Sequence, residues 1–413
     1  MRVRRDYREP FFRERRRGFP WRNVVLILVF FAAIVTVITT QPALLTSAAY
    51  AILGNAPTPT PLPRELIDQA VIAAQNGDLP VALSHYKAAI AQRPNNIDYL
   101  YDYGQLLIDA DNAEEALIIA NTITTNAPND VRGYTLKTRA MAWLGQFAAA
   151  IPVGLQGQGL DENFGPLYEA LSRAYAGEAR WRESLDSADR ATQLSPNDAR
   201  GYWAYGLVLA QTGNPDLAIE EMQTAVQLNP TLLPPYFELA FLLLSLDRNQ
   251  EAIDLYDRIL GMQPRNARAL LRQCDAYRKV GEFNRALGLC QDAVSADPTY
   301  AVAQYRLGTL RYSRREFQQS FDAFSACLEV TPDNLQCRYM MGLSQYYLGD
   351  CNNAETVLLE SQRMAQSLTN GESDLIIINE GLLALANDVG CTGLPPIPPT
   401  LTPEATPEVS DSA

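Results

Sequence analysis

Few residues in this chain have the types and spacing that catalysis requires. The 413-residue sequence contains one histidine, His85, which excludes a histidine cluster around zinc and a nucleophile activated by histidine. It contains no Cys-x-x-Cys pair and no glycine-rich phosphate loop of the P-loop type. Its carboxylates follow the spacing of exposed helix faces. The sequence therefore predicts a protein that is not an enzyme and that holds no cofactor and no metal.

Six cysteines are the remaining candidates for covalent chemistry, and all of them lie beyond residue 270. In an oxidising compartment they would form disulfides, with 15 possible connectivities. In a reducing compartment they would be buried thiols that pack as small apolar side chains.

Charge is divided unevenly along the chain. The first 22 residues contain nine arginines and three acidic residues, whereas the rest contains 25 basic and 44 acidic residues, a net charge of −19. Such an acidic chain is a poor partner for nucleic acid, so no nucleic-acid binding is expected.

A 34-residue spacing of prolines is the strongest signal in the sequence. Seven prolines and one glutamate fall on it, namely Pro94, Pro128, Glu162, Pro196, Pro230, Pro264, Pro298 and Pro332. Because proline ends a helix, the constant spacing marks the end of a recurring helical unit. With this proline as residue 32 of each unit, residues 8 and 20 are small in nine consecutive units. Two small positions twelve residues apart let two helices approach closely, which predicts a helical hairpin.

The unit resembles the tetratricopeptide repeat, a hairpin of about 34 residues. The fifth unit matches the family pattern best, with Tyr202, Tyr205, Gly206, Leu209, Ala218, Met222, Ala225 and Pro230. The resemblance covers nine repeats over 63–366. It implies an all-α fold, a right-handed α-solenoid of helix-turn-helix repeats, whose inner surface binds other proteins.

Two segments of the array depart from the regular pattern. A helix in 367–391 is expected to cap the exposed end of the stack. The second helix of the third unit contains Pro152 and three glycines within 151–160. It is either a weak joint between repeats or a rigid helix held by its neighbours, since each helical glycine costs about 1 kcal/mol relative to alanine.

The segment before the repeats predicts a membrane anchor. Residues 1–22 form a basic tail and 23–41 an almost unbroken apolar run, long enough to cross most of a bilayer as one transmembrane helix. Arginines on its amino-terminal side alone place the tail in the cytoplasm and the repeats outside it. A cleaved signal peptide is the alternative, because Ala49 and Ala51 offer a small-x-small site.

Proline and threonine dominate both flanks of the array. Residues 42–62 are predicted to form a semi-rigid spacer, and 392–413 a disordered tail.

The hairpin arrangement suggests three cysteine pairs. Cys274 and Cys290 would face each other within the seventh unit, and Cys327 would meet Cys337 on the next helix. Cys351 in the ninth unit has Cys391, just past the capping helix, as its candidate partner.

The resemblance implies that residues 2, 5, 9 and 12 of each unit face inward. These positions predict a partner-binding groove lined by Arg200, Trp203, Phe237, Phe241, Leu244, Arg268, Arg278, Tyr305, Tyr312, Tyr339 and Tyr346. Aromatic and arginine side chains are typical anchors of a protein interface. The alternative is that some of these rings pack against neighbouring helices.

Together these features predict a non-catalytic scaffold in the cell membrane that binds a protein or peptide partner outside the cytoplasm. One alternative is a subunit that positions an envelope enzyme or polysaccharide machinery. The other is an adaptor whose repeats face the cytoplasm.

Overall fold

The computed structural model describes Val29, residues 61–368, residues 371–388 and Cys391. From residue 61 onward, the regular secondary structure of the described residues is helical. The helices are α1 Pro63–Gln75, α2 Leu79–Gln92, α3 Ile97–Asp109, α4 Ala113–Asn126, α5 Val131–Trp143, α6 Phe147–Gln158, α7 Gly165–Gly177, α8 Trp181–Leu194, α9 Ala199–Gln211, α10 Pro215–Leu228, α11 Leu233–Ser245, α12 Asn249–Met262, α13 Ala267–Lys279, α14 Phe283–Ala296, α15 Ala301–Ser313, α16 Phe317–Val330, α17 Leu335–Tyr347, α18 Cys351–Ser367 and α19 Glu372–Asn387.

Each odd-numbered helix from α1 to α17 packs against the even-numbered helix that follows it, and we number these pairs hairpin 1 to hairpin 9. Their first helices begin at residues 63, 97, 131, 165, 199, 233, 267, 301 and 335, at a constant interval of 34. Neighbouring hairpins also pack against each other, so the array is an α-solenoid. The all-α hairpin fold predicted from the proline spacing is confirmed.

The residues after each periodic proline start the next hairpin. Asn96 accepts a hydrogen bond from the backbone N–H of Tyr99 at 3.0 Å, and Asn266 accepts one from Ala269 at 2.9 Å. These side chains satisfy backbone donors that have no partner inside the helix. Proline thus ends one hairpin, and a polar side-chain cap begins hairpins 2, 3, 5, 7 and 9.

Small residues set the distance between the two helices of a hairpin. A Cβ atom added to Gly206 would lie 2.6 Å from Met222 Cγ and 3.0 Å from the Ala218 carbonyl oxygen. A larger residue at either crossing position would therefore force the helices apart.

Hairpin 3 contains the unusual second helix, α6, which is continuous through Pro152. A Cβ atom on Gly154 would lie 2.4 Å from Leu171 Cδ2, and one on Gly157 would lie 2.9 Å from Tyr134 Cβ. Both glycines are needed for close packing against α5 and α7. This packing supports the interpretation of a helix held by its neighbours.

Helix α19 lies in the segment for which the sequence predicts a cap. It packs against α18 and α17, and Ile378 is fully buried in that contact.

Four predicted segments fall on residues that the structure does not describe: the basic tail 1–22, the transmembrane helix 23–41, the spacer 42–62 and the tail 392–413. The exceptions are Val29 in the predicted transmembrane helix and residues 61 and 62 of the spacer. In the part of the chain that the structure describes, no helix is both long and apolar enough to cross a membrane.

Candidate partner-binding site

The inner face consists of residues at positions 2, 5, 9 and 12 of the first helix of each hairpin. Four rings predicted to line it are buried, with exposed fractions of 4% for Trp203, 8% for Phe237, 3% for Tyr339 and 0% for Tyr346. They pack between helices, as the alternative interpretation held, and leave almost no surface for a partner. At these four positions the structure places the predicted groove residues between helices and not on accessible surface.

The other predicted apolar residues keep accessible surface. Phe241 on α11 is 44% exposed. Leu244, Tyr305 and Tyr312 are half-buried. Among the predicted arginines, Arg268 is exposed, whereas Arg200 and Arg278 are half-buried. The accessible part of the predicted groove therefore lies in hairpins 6 to 8.

In the amino-terminal half, the array curls back on itself. Arg200 on α9 donates a hydrogen bond to the Asp109 carboxylate on α3, and Gln263 Nε2 donates to the Gly77 carbonyl oxygen at 3.3 Å. A crevice of about 370 Å³ remains between these contacts, with Asp102 and Leu233 among its lining residues. Arg200 is thus engaged within the chain itself.

Buried ionic groups fill much of the remaining inner face of hairpins 2 to 5. Arg139 donates to Glu169 at 2.8 Å, and both side chains are only 2% exposed. Arg139 also donates to Gln105 at 3.1 Å. Ion pairing and hydrogen bonding offset the cost of removing these charges from water.

Arg173 joins this network to the aromatic residues. Its guanidinium carbon lies 4.8 Å from the ring centre of Trp143 and 4.4 Å from that of Trp203. Its Nη2 also lies 3.7 Å from Glu169 Oε1. A cation between two indole rings is stabilised by the negative faces of both.

Sequence reasoning missed Arg139, Glu169 and Arg173. The first and last occupy position 9 of hairpins 3 and 4, and Glu169 occupies position 5 of hairpin 4. Extending the inward-facing positions to hairpins 3 and 4 would have identified all three as candidate inner-face residues.

At the other end of the array, the capping helix reaches the inner face. Burial raises the pKa of Tyr339 on α17 and of Asp374 on α19, and Asp374 further raises the pKa of Tyr339. This interaction joins α17 to α19.

The structure joins the cysteines in the three pairs that the hairpin positions suggest. Cys274 is bonded to Cys290 within hairpin 7, Cys327 to Cys337 between hairpins 8 and 9, and Cys351 to Cys391. Their Cα–Cα distances of 5.5, 6.3 and 6.0 Å suit disulfides.

Comparison with known proteins agrees with the hairpin geometry. Two family models, each described as "Tetratricopeptide repeat", match this chain, one at residues 73–140 and 209–274 and the other at 169–232. The crystal structure of the APC/C hetero-tetramer Cut9–Hcn1 superposes with a TM-score of 0.53 at 15% identity. That match covers 73% of this chain and 59% of the other. At this identity the likeness establishes the fold alone.

Curated relatives are distant. The BBSome complex member BBS4 homolog of Drosophila melanogaster is 20% identical over 52% of this chain and 45% of its own length. The TPR repeat-containing protein YpiA of Bacillus subtilis is 20% identical over 60% of this chain and 66% of its own length. The chain thus spans about half to two thirds of these relatives. The proline spacing, the hairpin geometry and the family models agree: the hairpins within 73–140 and 169–274 match tetratricopeptide repeats, and the other hairpins share their helical arrangement.

Proposed function

We propose that this protein is a membrane-anchored scaffold that binds a segment of a partner protein along the inner face of hairpins 6 to 8. The observation that carries the proposal is the contrast between the two halves of the inner face. In hairpins 2 to 5 the chain's own ionic groups and indole rings occupy it, whereas Phe241 in hairpin 6 is 44% exposed. A large exposed ring on an inner face is a typical anchor for a partner's apolar side chain.

The proposed location is outside the cytoplasm, with one membrane helix at 23–41 and the amino terminus in the cytoplasm. Two features support it. The arginines of the amino-terminal tail precede the apolar run, and the six cysteines form three disulfides. Disulfides persist in oxidising compartments and are rare in the cytosol.

A photo-crosslinking amino acid at position 241 tests the binding site in living cells. Leu217 on α10 is 52% exposed and provides a matched control position. We expect a discrete crosslinked product from position 241 and none from position 217. Equal crosslinking at both positions, or none at either, would refute the proposed groove.

A membrane-impermeant thiol reagent tests the location. Applied to intact cells, it should label the repeats only after mild reduction, because the six cysteines are paired beforehand. Labelling that requires cell lysis would instead place the repeats in the cytoplasm.

A further inference from the structure

Arg278 on the inner face and Arg306, which directly follows the inner-face residue Tyr305, share one carboxylate. Arg306 Nε lies 2.9 Å from Asp275 Oδ1, and Arg278 Nε lies 3.7 Å from the same oxygen. Neither Nε–H donates a hydrogen bond to Asp275, and both nitrogens are buried without a hydrogen-bond partner. Burial lowers the pKa of Arg278, the Asp275 carboxylate opposes this shift, and the Arg306 charge adds to it. One carboxylate therefore compensates incompletely for two cations.

A third arginine, Arg268, lies on the inner face at the start of the same helix as Arg278, α13. Arg268 lies with its guanidinium carbon 4.7 Å from the ring centre of Phe237. We call Arg268, Arg278 and Arg306 the arginine cluster. Its three positive charges face two carboxylates, Asp275 and Glu238, and Glu238 on α11 also faces Arg173 and Arg272. Asp374 on α19 also acts on Tyr305, as Arg306 and Arg278 do, and burial raises the pKa of Asp374. Relative to the carboxylates that face it directly, the cluster thus has a local excess of positive charge.

The positive charge of the cluster lies in a chain that is otherwise strongly acidic, which limits the kinds of anion that can reach it. The chain beyond residue 22 carries a net charge of −19, so a long polyanion is repelled before it reaches the cluster. A short acidic segment flanked by uncharged residues places its negative charge only near the cluster. Acidic residues of the protein more than about 8 Å away, the Debye length at physiological salt, repel it only weakly. Charge complementarity therefore favours a protein segment over nucleic acid or an anionic polysaccharide.

We propose that the arginine cluster receives an acidic side chain of an extended partner segment, while an apolar side chain of the same segment packs on Phe241. This inference rests on the proposed scaffold function and names the chemistry of its partner. An incoming carboxylate would accept charge-assisted hydrogen bonds from Arg278 and Arg306, in the fork geometry that guanidinium groups favour. It would also supply a second negative charge, since Arg278 and Arg306 have only the Asp275 carboxylate between them.

Peptide selection on the purified full-length protein tests the proposal without a known partner. Random peptides of about 12 residues, long enough to span several hairpins when extended, are selected against the wild type and against an Arg278→Gln, Arg306→Gln double variant. We expect the wild type to enrich peptides in which Asp or Glu lies near Phe, Leu, Tyr or Trp, and the variant to lose that enrichment. Fluorescence anisotropy with one selected peptide should show at least roughly tenfold weaker binding to the variant, the loss expected for one charge-assisted hydrogen bond.

Further variants separate binding from folding. Arg248→Gln removes an exposed arginine that pairs with Glu251 on α12, and it should leave peptide affinity unchanged. Asp275→Asn should tighten binding of the acidic peptide, because it removes a competing carboxylate. A purely structural role for the cluster predicts no such gain. Circular dichroism and the melting temperature confirm that each variant is folded.

The outcomes distinguish the two proposals. If the selection enriches neutral or basic peptides, and Phe241→Ala abolishes their binding, the partner segment is not acidic but the proposed groove still stands. Peptides unaffected by Phe241→Ala, or no enrichment at all, would overturn both. Duplex DNA or heparin binding as tightly as the acidic peptide would overturn the choice of a protein segment.

Discussion

Arg200 and Asp109 form an ion pair across 91 residues of sequence, which joins α9 of hairpin 5 to α3 of hairpin 2. Their side chains are 17% and 16% exposed, so most of each group is shielded from water. Burial raises the pKa of Asp109, and the Arg200 and Arg139 charges oppose that shift. A residue predicted to bind a partner thus serves to hold the array closed.

Replacing Asp109 with alanine should destabilise the protein by about 2 kcal/mol, since it leaves a largely buried cation without its carboxylate. Urea unfolding of Asp109→Ala, Arg200→Ala and the double variant measures the coupling between them. Asp98→Ala, which removes the exposed partner of Arg132, is the control. Additive effects of the two single changes would show that the pair contributes nothing.

Alanine substitutions at Gly154, inside α6, and at Gly159, just after its end, should change stability in different ways. Gly154→Ala should destabilise by about 1–3 kcal/mol, because the new methyl group overlaps Leu171 Cδ2. Gly159→Ala is the matched control, since its nearest contacts are an ordinary 3.4 and 3.8 Å away. It should be neutral or stabilise by up to about 1 kcal/mol. Thermal unfolding of both variants decides the matter, and equal stabilisation would show that α6 is loosely packed.

Replacing a buried inner-face ring should lower stability, whereas replacing an exposed one should weaken partner binding. Trp203→Ala should cost about 3–5 kcal/mol by opening a cavity between helices. Phe241→Ala should change stability by no more than about 0.5 kcal/mol, while it weakens partner binding. Denaturant unfolding and crosslinking yield, measured on both variants, test this division. It would fail if Phe241→Ala unfolded the protein.

The disulfide between Cys351 and Cys391 should stabilise the carboxyl-terminal cap. It spans 40 residues, and the chain-entropy model assigns such a loop about 4 kcal/mol. In a Cys351→Ser, Cys391→Ser variant, hydrogen exchange should accelerate in α19 and remain unchanged in α3. A Cys274→Ser, Cys290→Ser variant should leave α19 protected. Unchanged exchange in α19 of the first variant would argue against this role.

Glu238 should make stability depend on pH. Burial raises its pKa above the ordinary value of 4.5, although Arg173, Arg268 and Arg272 oppose the shift. Between 4.5 and the folded-state pKa, the folded protein binds more protons at this site than the unfolded chain. The contribution of Glu238 to the free energy of unfolding therefore falls as pH rises through that interval. Glu238→Gln should flatten this part of the stability profile, and a profile identical to that of the wild type would contradict the assignment.

The repeat fold was predictable because its signals are local. Proline ends a hairpin, small residues such as Gly206 permit the crossing, and both recur every 34 residues. The hairpin arrangement within one unit also predicted that Cys274 lies close to Cys290, 16 residues away. Burial of Trp203 was not predictable from position alone. It depends on contacts with Trp143, which lies two hairpins earlier, and with Arg173, which lies one hairpin earlier. How tightly the hairpins curl, and hence which inner positions stay accessible, is a property of the whole array.

The hydrogen bond between Gln263 and Gly77 also bears on how the array unfolds. In an open solenoid each repeat touches only its sequence neighbours, so terminal repeats fray first and unfolding spreads along one dimension. Here the turn of hairpin 1 also contacts the end of hairpin 6, and hairpin 2 contacts hairpin 5. Loss of the first hairpin therefore removes contacts in the middle of the array. Hairpins 1 to 6 are linked into a loop that should melt as one cooperative block, while hairpins 7 to 9 retain the sequential behaviour of a linear repeat.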